Sequence, residues 1–431
     1  MNKKLMMGFG LLMFLMFAQS GNAAVDDRVK ELERKVNILT REISDLKMGE
    51  TPTEVKTIKT GMGPAASKVY TKSSGVSIGG YGEMVYNNYH TLLDNGTPST
   101  RKDQIDILRN IIYFGYKFND NILFNSEVEI EHAHSAIGGE VEIEFAYLDL
   151  LLNPAFNVRS GMMLAPMGIV NEMHEPPTFW SVSRPYVESS IIPSTWSMNG
   201  VGIFGEINDS LRYKVYMTDS LTAVTGNNSA VTGFSASGLR GGRQKGAKSL
   251  AENIALSARL DYEFMPGSLI GASVFSGATT QGKVAGANGN VFLYDVHSRV
   301  QLGRLEIRAL YAESTLADAD LINAAKGLTG SAMIGSKQVG SYVEVAYDVL
   351  PHLISGTEQA LVPFIRLENL NTQVETPTGG SANGANIKNY TIYGFSYLPI
   401  SNVAFKLSFE NETLASGAGQ DSINFASTYL F

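Results

Sequence analysis

The 431 residues contain no cysteine and only two tryptophans, against 19 tyrosines and 20 phenylalanines. Without thiols there is neither a disulfide framework nor a thiolate metal centre. Basic residues are scarce as well: 34 Lys+Arg face 42 Asp+Glu, a formal net charge of −8. That balance lacks the basic stripe nucleic-acid binding requires. Past the amino terminus, no segment approaches the roughly 18 consecutive apolar residues of a membrane-spanning helix. Signatures of catalysis are missing too. The run VAGANGN at 284–290 has neither the lysine nor the strand–loop–helix context of a phosphate-binding loop. In NEMHEPPTF, two prolines disfavour a zinc-protease helix, and no serine–histidine–carboxylate trio is announced. No enzymatic activity, cofactor or metal is assigned. His132 and His134, two apart near Glu131 and Glu140, have a spacing that a divalent ion could use, but polar loop residues are the simpler reading.

The start of the chain is an export signal. MNKK is positive, LMMGFGLLMFLMFA is apolar but short, and SGNAA offers small residues for cleavage, so residues 1–24 read as a signal peptide. Its removal takes Lys3 and Lys4 with it and leaves a still more acidic chain. Over 25–47, Val25, Val29, Leu32, Val36, Leu39, Ile43 and Leu46 recur at alternating spacings of four and three. This is a heptad seam with Val29, Val36 and Ile43 at one position and mostly leucine at the other. Arg28 with Glu33, and Glu42 with Lys47, stand where partner helices exchange charges. A trimeric coiled coil is expected, although a single amphipathic surface helix would use the same residues. About three heptads are marginal alone. The Pro/Gly/Ser/Thr-rich stretch 48–75 reads as a linker, with no plug domain.

From Val76 the hydrophobic period changes to two. VAFKLSFE sets Val403, Phe405, Leu407 and Phe409 against Ala404, Lys406, Ser408 and Glu410. Comparable segments lie at about 76–89, 105–118, 121–133, 140–152, 156–163, 199–207, 210–219, 251–263, 268–277, 290–302, 304–315, 338–349, 360–370, 389–398, 402–411 and 421–431. Connections after even-numbered segments are mostly tight (NDN, NPA, NDS, FMPG, LGR, LPIS), whereas those after odd-numbered ones are mostly long. LPHLISGTEQ is the exception. The expected architecture over 76–431 is an all-β transmembrane antiparallel barrel of about 16 strands, with short turns on one side and long loops on the other. A β-sandwich shares the alternation. It accounts poorly for so long a stretch without linkers and with charges filling the polar faces. The last segment ends in Ile423, Phe425, Tyr429 and Phe431 on one face, expected to meet lipid as the strand closes the barrel.

Several stretches resemble the phosphate-selective porin O/P family of Gram-negative outer membranes. They are GGYGEMVYNNY, FNSEVEIEHAH, GEVEIEFAYLDLLLNPAFNVRSGMMLAPMGIVNEMHEPPTFWSVSRPYVESSIIPSTW, GVGIFGE and RQKGAKSLAENIALSARLDY. The resemblance spans about 79–431 and is densest over 79–262. It implies a trimeric, 16-stranded diffusion channel in the outer membrane, taking small hydrophilic solutes or inorganic ions, with its third external loop folded inward. It also implies that a terminal Phe431, with Tyr429, is recognised by the barrel-assembly machinery. The segment Met163–Met198 is the third external loop by an independent count of strands.

Phosphate selectivity is a separate matter, because the inward loop carries no lysine and one firm base, Arg184, beside Glu172, Glu175, Glu188 and His174. Strand parity sends Arg159, Arg212, Lys214, Arg259, Arg299, Arg308, Arg366 and Lys406 to the lumen. The same parity sends Glu127, Glu129, Glu131, Glu142, Glu144, Asp261, Asp295, Glu306, Glu344, Glu368 and Glu410 there, so acids lead. Acids concentrate on the third and fourth strands and bases on later ones. Glu172 and Glu175 are expected to face Arg159 and Arg184 across the constriction, giving a general pore with weak charge selectivity. An anion- or phosphate-selective porin is the alternative. A structural envelope tether, with the coiled coil as the link and the barrel as the anchor, is a second.

Overall fold

The computed structural model describes residues 62–136, 138–226 and 231–431. The leader, the heptad segment with Val29, Leu32, Val36, Leu39 and Ile43, and the linker up to residue 61 lie outside the described residues. Sixteen strands follow one another: Gly75–Tyr89 (β1), Gln104–Asn119 (β2), Ile122–Glu131 (β3), Val141–Asn153 (β4), Phe156–Leu164 (β5), Ser197–Asn208 (β6), Leu211–Asp219 (β7) and Ile254–Met265 (β8). The second half comprises Ser268–Gly277 (β9), Val291–Leu302 (β10), Leu305–Leu316 (β11), Lys337–Tyr347 (β12), Ala360–Glu375 (β13), Ile387–Ile400 (β14), Val403–Leu414 (β15) and Ser422–Leu430 (β16). Each pairs antiparallel with its sequence neighbours, and β16 returns to β1 from Tyr81↔Leu430 to Tyr89↔Ser422. The sheet is a closed barrel. Closure leaves no unpaired strand edge, the condition for crossing hydrocarbon with strands. Among the described residues, no helix is long and apolar enough to cross.

Period two decides which side chain goes where. On β15, Ala404, Lys406, Ser408 and Glu410 are buried inside, while Phe405 is exposed outside. On β2, Ile112, Phe114, Tyr116 and Phe118 form the exposed outer row, and Ile111 and Tyr113 turn inward. An apolar exterior with charges inside inverts a soluble protein and suits a lipid surround. At the seam, Tyr429 and Phe431 are exposed and lie across glycines of β1. A Cβ on Gly82 would come within 2.5 Å of the Tyr429 hydroxyl, and one on Gly80 within 2.8 Å of the Phe431 ring. Backbone bonds between Gly80 and Phe431 run both ways, at 2.9 and 2.8 Å. Bare glycine backbone covered by a cross-strand aromatic ring holds a sheet join together.

The connections sort by parity, as their lengths in the sequence predict. The β12–β13 exception contains a helical turn, Leu350–Leu353. Bulges interrupt the alternation, and two of them shape the β1–β4 side. Between Glu127 and Val128 the register of β3 shifts against β4, so Glu144 and Phe145 both point inward. A matching shift at Glu83/Met84 turns both Leu108 and Arg109 of β2 toward the lumen. A bulge re-aims side chains in this way because two residues on one strand oppose one on the other.

Two segments fill much of the interior. The β5–β6 connection folds inward, and its Met167, Ile169, Trp180, Val187, Ile191, Ile192 and Trp196 pack on Phe275, Leu293, Leu310, Phe364 and Ile392 of the later strands. The second segment corrects an expectation. From Met62 the stretch read as linker is seated inside the barrel, with Met62, Ala65, Ala66 and Val69 against Tyr81, Ile111, Tyr113, Leu123, Phe145 and Tyr147. Its 3-10 turn, Lys68–Thr71, touches β1, β2 and β3. The small residues that suggest a linker are what lets the segment fit closely against that aromatic wall. Accordingly, the lumen is not evenly wet: β10 and β11 turn Leu293 and Leu310 inward toward the loop, and Asp295, Arg299, Glu306 and Arg308 inward nearer their tight turn.

Candidate functional site

The inward loop is tied to the wall around most of the barrel. Lys214 of β7 holds Glu172 at 2.6 Å to both carboxylate oxygens. Gly168 donates its N–H to Asp295 of β10 at 3.0 Å. Glu188 accepts from the N–H groups of Ile169 and Val170 and from the Tyr342 hydroxyl of β12, at 2.8, 2.6 and 2.6 Å. Burial pushes the Glu188 carboxyl up from its ordinary value, against those donors. On the far side, Lys406 of β15 donates to the carbonyls of Pro176, Phe179 and Ser181 at 2.6, 2.6 and 3.0 Å. Ser183 and Tyr186 donate to Glu410 at 2.5 and 2.7 Å.

Most of the expected pore arginines are neutralised by neighbours. Arg159 is buried in a two-point bond with Asp149, Nε–Oδ1 2.8 Å and Nη2–Oδ2 2.9 Å, and stacks 3.8 Å over Tyr147. It does not form the wall opposite the acids. Arg259 pairs with Asp261 at 2.8 Å, Arg299 with Glu306 at 3.0 Å, Arg308 also with Glu306, and Arg366 with Glu344 at 3.1 Å. Register explains two of these pairs, since Asp149↔Arg159 and Glu344↔Arg366 are cross-strand partners, while Arg259 with Asp261 and Arg308 with Glu306 are neighbours on one face of one strand. Directly opposed charges of opposite sign attract across a sheet. Glu172, bound to Lys214, is likewise turned to the wall. Glu175 serves the docked segment, accepting from Ala65 N–H at 3.2 Å and Ala66 N–H at 3.0 Å. Burial raises its pKa to about 7 despite those two donors.

The charges that do face one another lie on the β1–β4 side. There the inward row is Glu83, Arg109, Glu127, Glu129, Glu131, Glu142 and Glu144. Arg109 is bound to Glu83 at 2.8 Å and lies 4.0 Å from Glu129. Toward this acidic wall the inward loop presents Arg184 and His174, and the β7–β8 loop presents Arg240 and Arg243. His174 reaches Glu127 at 3.2 Å and Glu144 at 3.0 Å. Burial opposes its imidazolium, but the two carboxylates prevail and carry its pKa up to about 10. Arg184 donates to the His174 carbonyl at 3.3 Å. Arg243 donates to the carbonyls of Thr195 and Arg240, the latter at 3.3 Å. Among the described residues none of these three arginines forms an ion pair. Burial first, then the neighbouring Arg243 and Arg184, hold Arg240 down at about 9. Lys245 of the same loop bridges Glu140 at 2.5 Å and Glu142 at 2.9 Å. The result is an acidic strand wall facing an arc of loop guanidiniums, a transverse field across the mouth of the barrel.

Asp149 escapes parity because it follows a bulge that switches the inward phase of β4, whereas Arg109 shares the phase of Ile111 and Tyr113 and could have been found by it. His297 shares the phase of Asp295 and Arg299, and could have been found by it. It lies between Asp295 at 2.6 Å and Asp261 at 3.0 Å. Arg240 and Arg243 carry no periodic signal, since a loop brings them in. His132 is bound to Asp106 at 2.5 Å, beside the β3–β4 connection.

No protein-family model matches the chain. It is 39% identical over 383 residues to an uncharacterized protein of Aquifex aeolicus (strain VF5), covering 86% of this chain and 83% of that one. Its fold is similar to the outer membrane channel DcaP of Acinetobacter baumannii, with TM-score 0.54 and 14% identity over 83% of this chain and 98% of the other. Salmonella typhi OmpF, solved with daunomycin, gives the same four values. The trimer form of the outer membrane protein OmpT of Vibrio cholerae gives TM-score 0.50 and 13% identity over 84% of this chain and 100% of the other. At these identities the likeness is one of fold: a general porin barrel.

Proposed function

We propose, for a chain that belongs to one family with the Aquifex aeolicus protein and has the fold of outer-membrane channels, that it is a passive diffusion porin. It passes small hydrophilic solutes and inorganic ions with weak charge selectivity. The observation that carries this is the transverse opposition of the β3–β4 carboxylates and the loop guanidiniums of Arg184, Arg240 and Arg243, inside a closed barrel whose outer face is apolar. Acids remain in excess over the lumen as a whole, so the preference at low salt is for cations. It fades as salt rises, because the Debye length is only about 10 Å at 0.1 M.

The protein works as a homotrimer in outer-membrane lipid. It is exported by a cleaved leader, trimerised in part through Val29, Leu32, Val36, Leu39 and Ile43, and recognised at Phe431 by the barrel-assembly machinery. It is not an enzyme. The reversal potential in a planar bilayer under a potassium chloride gradient tests the reading: a cation-preferring sign at low salt, with no submillimolar phosphate block, is expected. A chloride-preferring sign with phosphate block would establish the second reading, an anion-selective porin of the phosphate-selective O/P type, which the arginine arc favours. A protein that reconstitutes but never conducts overturns both.

A further inference from the structure

We propose that Glu127, Glu144 and His174, with Glu129 alongside, form a binding site for a divalent first-row transition-metal ion, which clips the inward loop to the β3–β4 wall. Four observations carry this. First, the ring of His174 is set from behind. Its Nδ1 lies 2.9 Å from the Asn171 carbonyl, which can only accept, so Nδ1 carries the hydrogen and Nε2 is turned toward the carboxylates. A metal-bound imidazole is oriented in this way, by donating its other N–H to a carbonyl.

Second, the distances suit an ion. Tetrahedral bonds of about 2.0–2.1 Å place neighbouring donor atoms roughly 3.3 Å apart. Nε2 of His174 stands 3.2 Å from Glu127 Oε1 and 3.0 Å from Glu144 Oε2. One donor from each residue lies within 4.8 Å of the others, and a second group, Glu129, Glu142 and Glu144, meets the same spacing.

Third, the site has unspent acceptors. Glu127 is fully buried and Glu129 is 2% exposed, yet among the described residues Glu127 Oε2 and Glu129 Oε1 have no hydrogen-bond partner. The cation nearest Glu129 Oε1 is Arg109, at 4.0 Å, and Arg109 is already engaged by Glu83. A buried carboxylate oxygen without a donor is costly, and a bound cation removes that cost. Fourth, a bulge falls at Glu144, where two successive residues, Glu144 and Phe145, both point inward. Bulges re-aim side chains next to functional sites.

The donor set selects the class. Imidazole with carboxylates suits Zn²⁺, Fe²⁺ or Ni²⁺ rather than the all-oxygen sites of Mg²⁺ and Ca²⁺. The rival occupant is a proton on His174, bridging the same two carboxylates.

Calorimetric titration of the full chain in detergent with zinc chloride at pH 7 separates the two. The expectation is one ion per chain, with affinity weakened at least about tenfold in Glu144→Gln, Glu127→Gln and His174→Ala. The Gln variants keep side-chain volume and cover the case in which His174→Ala does not fold. A His132→Ala/His134→Ala double variant keeps the affinity. Absence of uptake by the wild-type chain at about 1 mM zinc (a binding energy weaker than about 4 kcal/mol), or uptake indifferent to Glu127→Gln and Glu144→Gln, overturns the proposal. Calorimetry reads no current, so either failure leaves the channel reading where it stands.

Discussion

Removing the Glu175 carboxylate should unseat the segment Met62–Thr71 and enlarge the conducting path. This carboxylate is the segment's main polar anchor on the loop, since the N–H groups of Ala65 and Ala66 donate to it at 3.2 and 3.0 Å, beside one backbone bond from Gly63 N–H to the Glu172 carbonyl at 3.2 Å. In Glu175→Ala both become buried donors without partners. Each costs about 1–3 kcal/mol, whereas the undocked segment satisfies them with water. Taking about 3 kcal/mol for the pair, the docked-to-free ratio falls by more than about a hundredfold. What still resists includes the burial of Met62 and Val69, the Asn125 side chain donating to the Ala66 carbonyl at 2.8 Å, and Tyr70, which donates to Asp149 at 2.6 Å and accepts from Arg159 at 2.9 Å. Val69→Asp removes part of that and should act in the same direction. The assay is single-channel recording in a planar bilayer, with circular dichroism confirming unchanged strand content. Both variants should show larger unit conductance than the wild type, or more frequent large openings.

The pH dependence has a definite sign. Burial raises Glu175 to about 7, so Glu175 binds its proton more tightly in the docked state than in the undocked one. Docking is therefore fully supported below the ordinary glutamate range near 4.5 and loses support as pH rises toward 7. Conductance should climb over that interval, and Glu175→Gln should flatten the climb. If Glu175→Ala and Val69→Asp both keep wild-type conductance at every pH, the segment does not obstruct the path and Glu175 does not hold it there.

Other expectations are equally specific. Arg240→Ser with Arg243→Ser removes two of the three unpaired guanidiniums, so the reversal potential should move toward stronger cation preference, most clearly at low salt; an unmoved potential means the arc does not face the path. Lys406→Met strands three loop carbonyls and should loosen the inward loop at a cost of about 3 kcal/mol, read as excess current noise and a lower unfolding temperature. Phe431→Asp or Gly82→Leu should cut the amount of protein in the outer membrane while synthesis continues, because each spoils the β1–β16 join; unchanged surface levels would contradict that role for the terminal aromatics. Mass spectrometry of the mature protein should find Met1 absent, and Leu32→Ser with Leu39→Ser should weaken trimers only in part by light scattering.

A reader of the chain alone can place the strands within a few residues, because side chains of a pleated strand alternate whatever the strand pairs with. Lys406 and Glu410 on one face, Phe405 and Phe409 on the other, reveal β15 without knowledge of β14 or β16. The third long connection can be counted out as the inward loop, and Ile423, Tyr429 and Phe431 read as an outer face. Pairing between strands is not written locally. That Asp149 meets Arg159, and Glu344 meets Arg366, follows from register and bulges, so most of the arginines expected to line the pore, Arg159 among them, lie in neutral pairs. Nor does a local pattern show that Met62–Thr71 docks inside. Its small residues and its turn look like linker until an aromatic wall and the Glu175 carboxylate are set opposite them. The same holds for Arg240 and Arg243, carried by a loop against acids about a hundred residues away in the chain. Alternation depends on one strand's own pleat, whereas the site depends on distances between segments far apart in sequence, and those exist only once the barrel has closed.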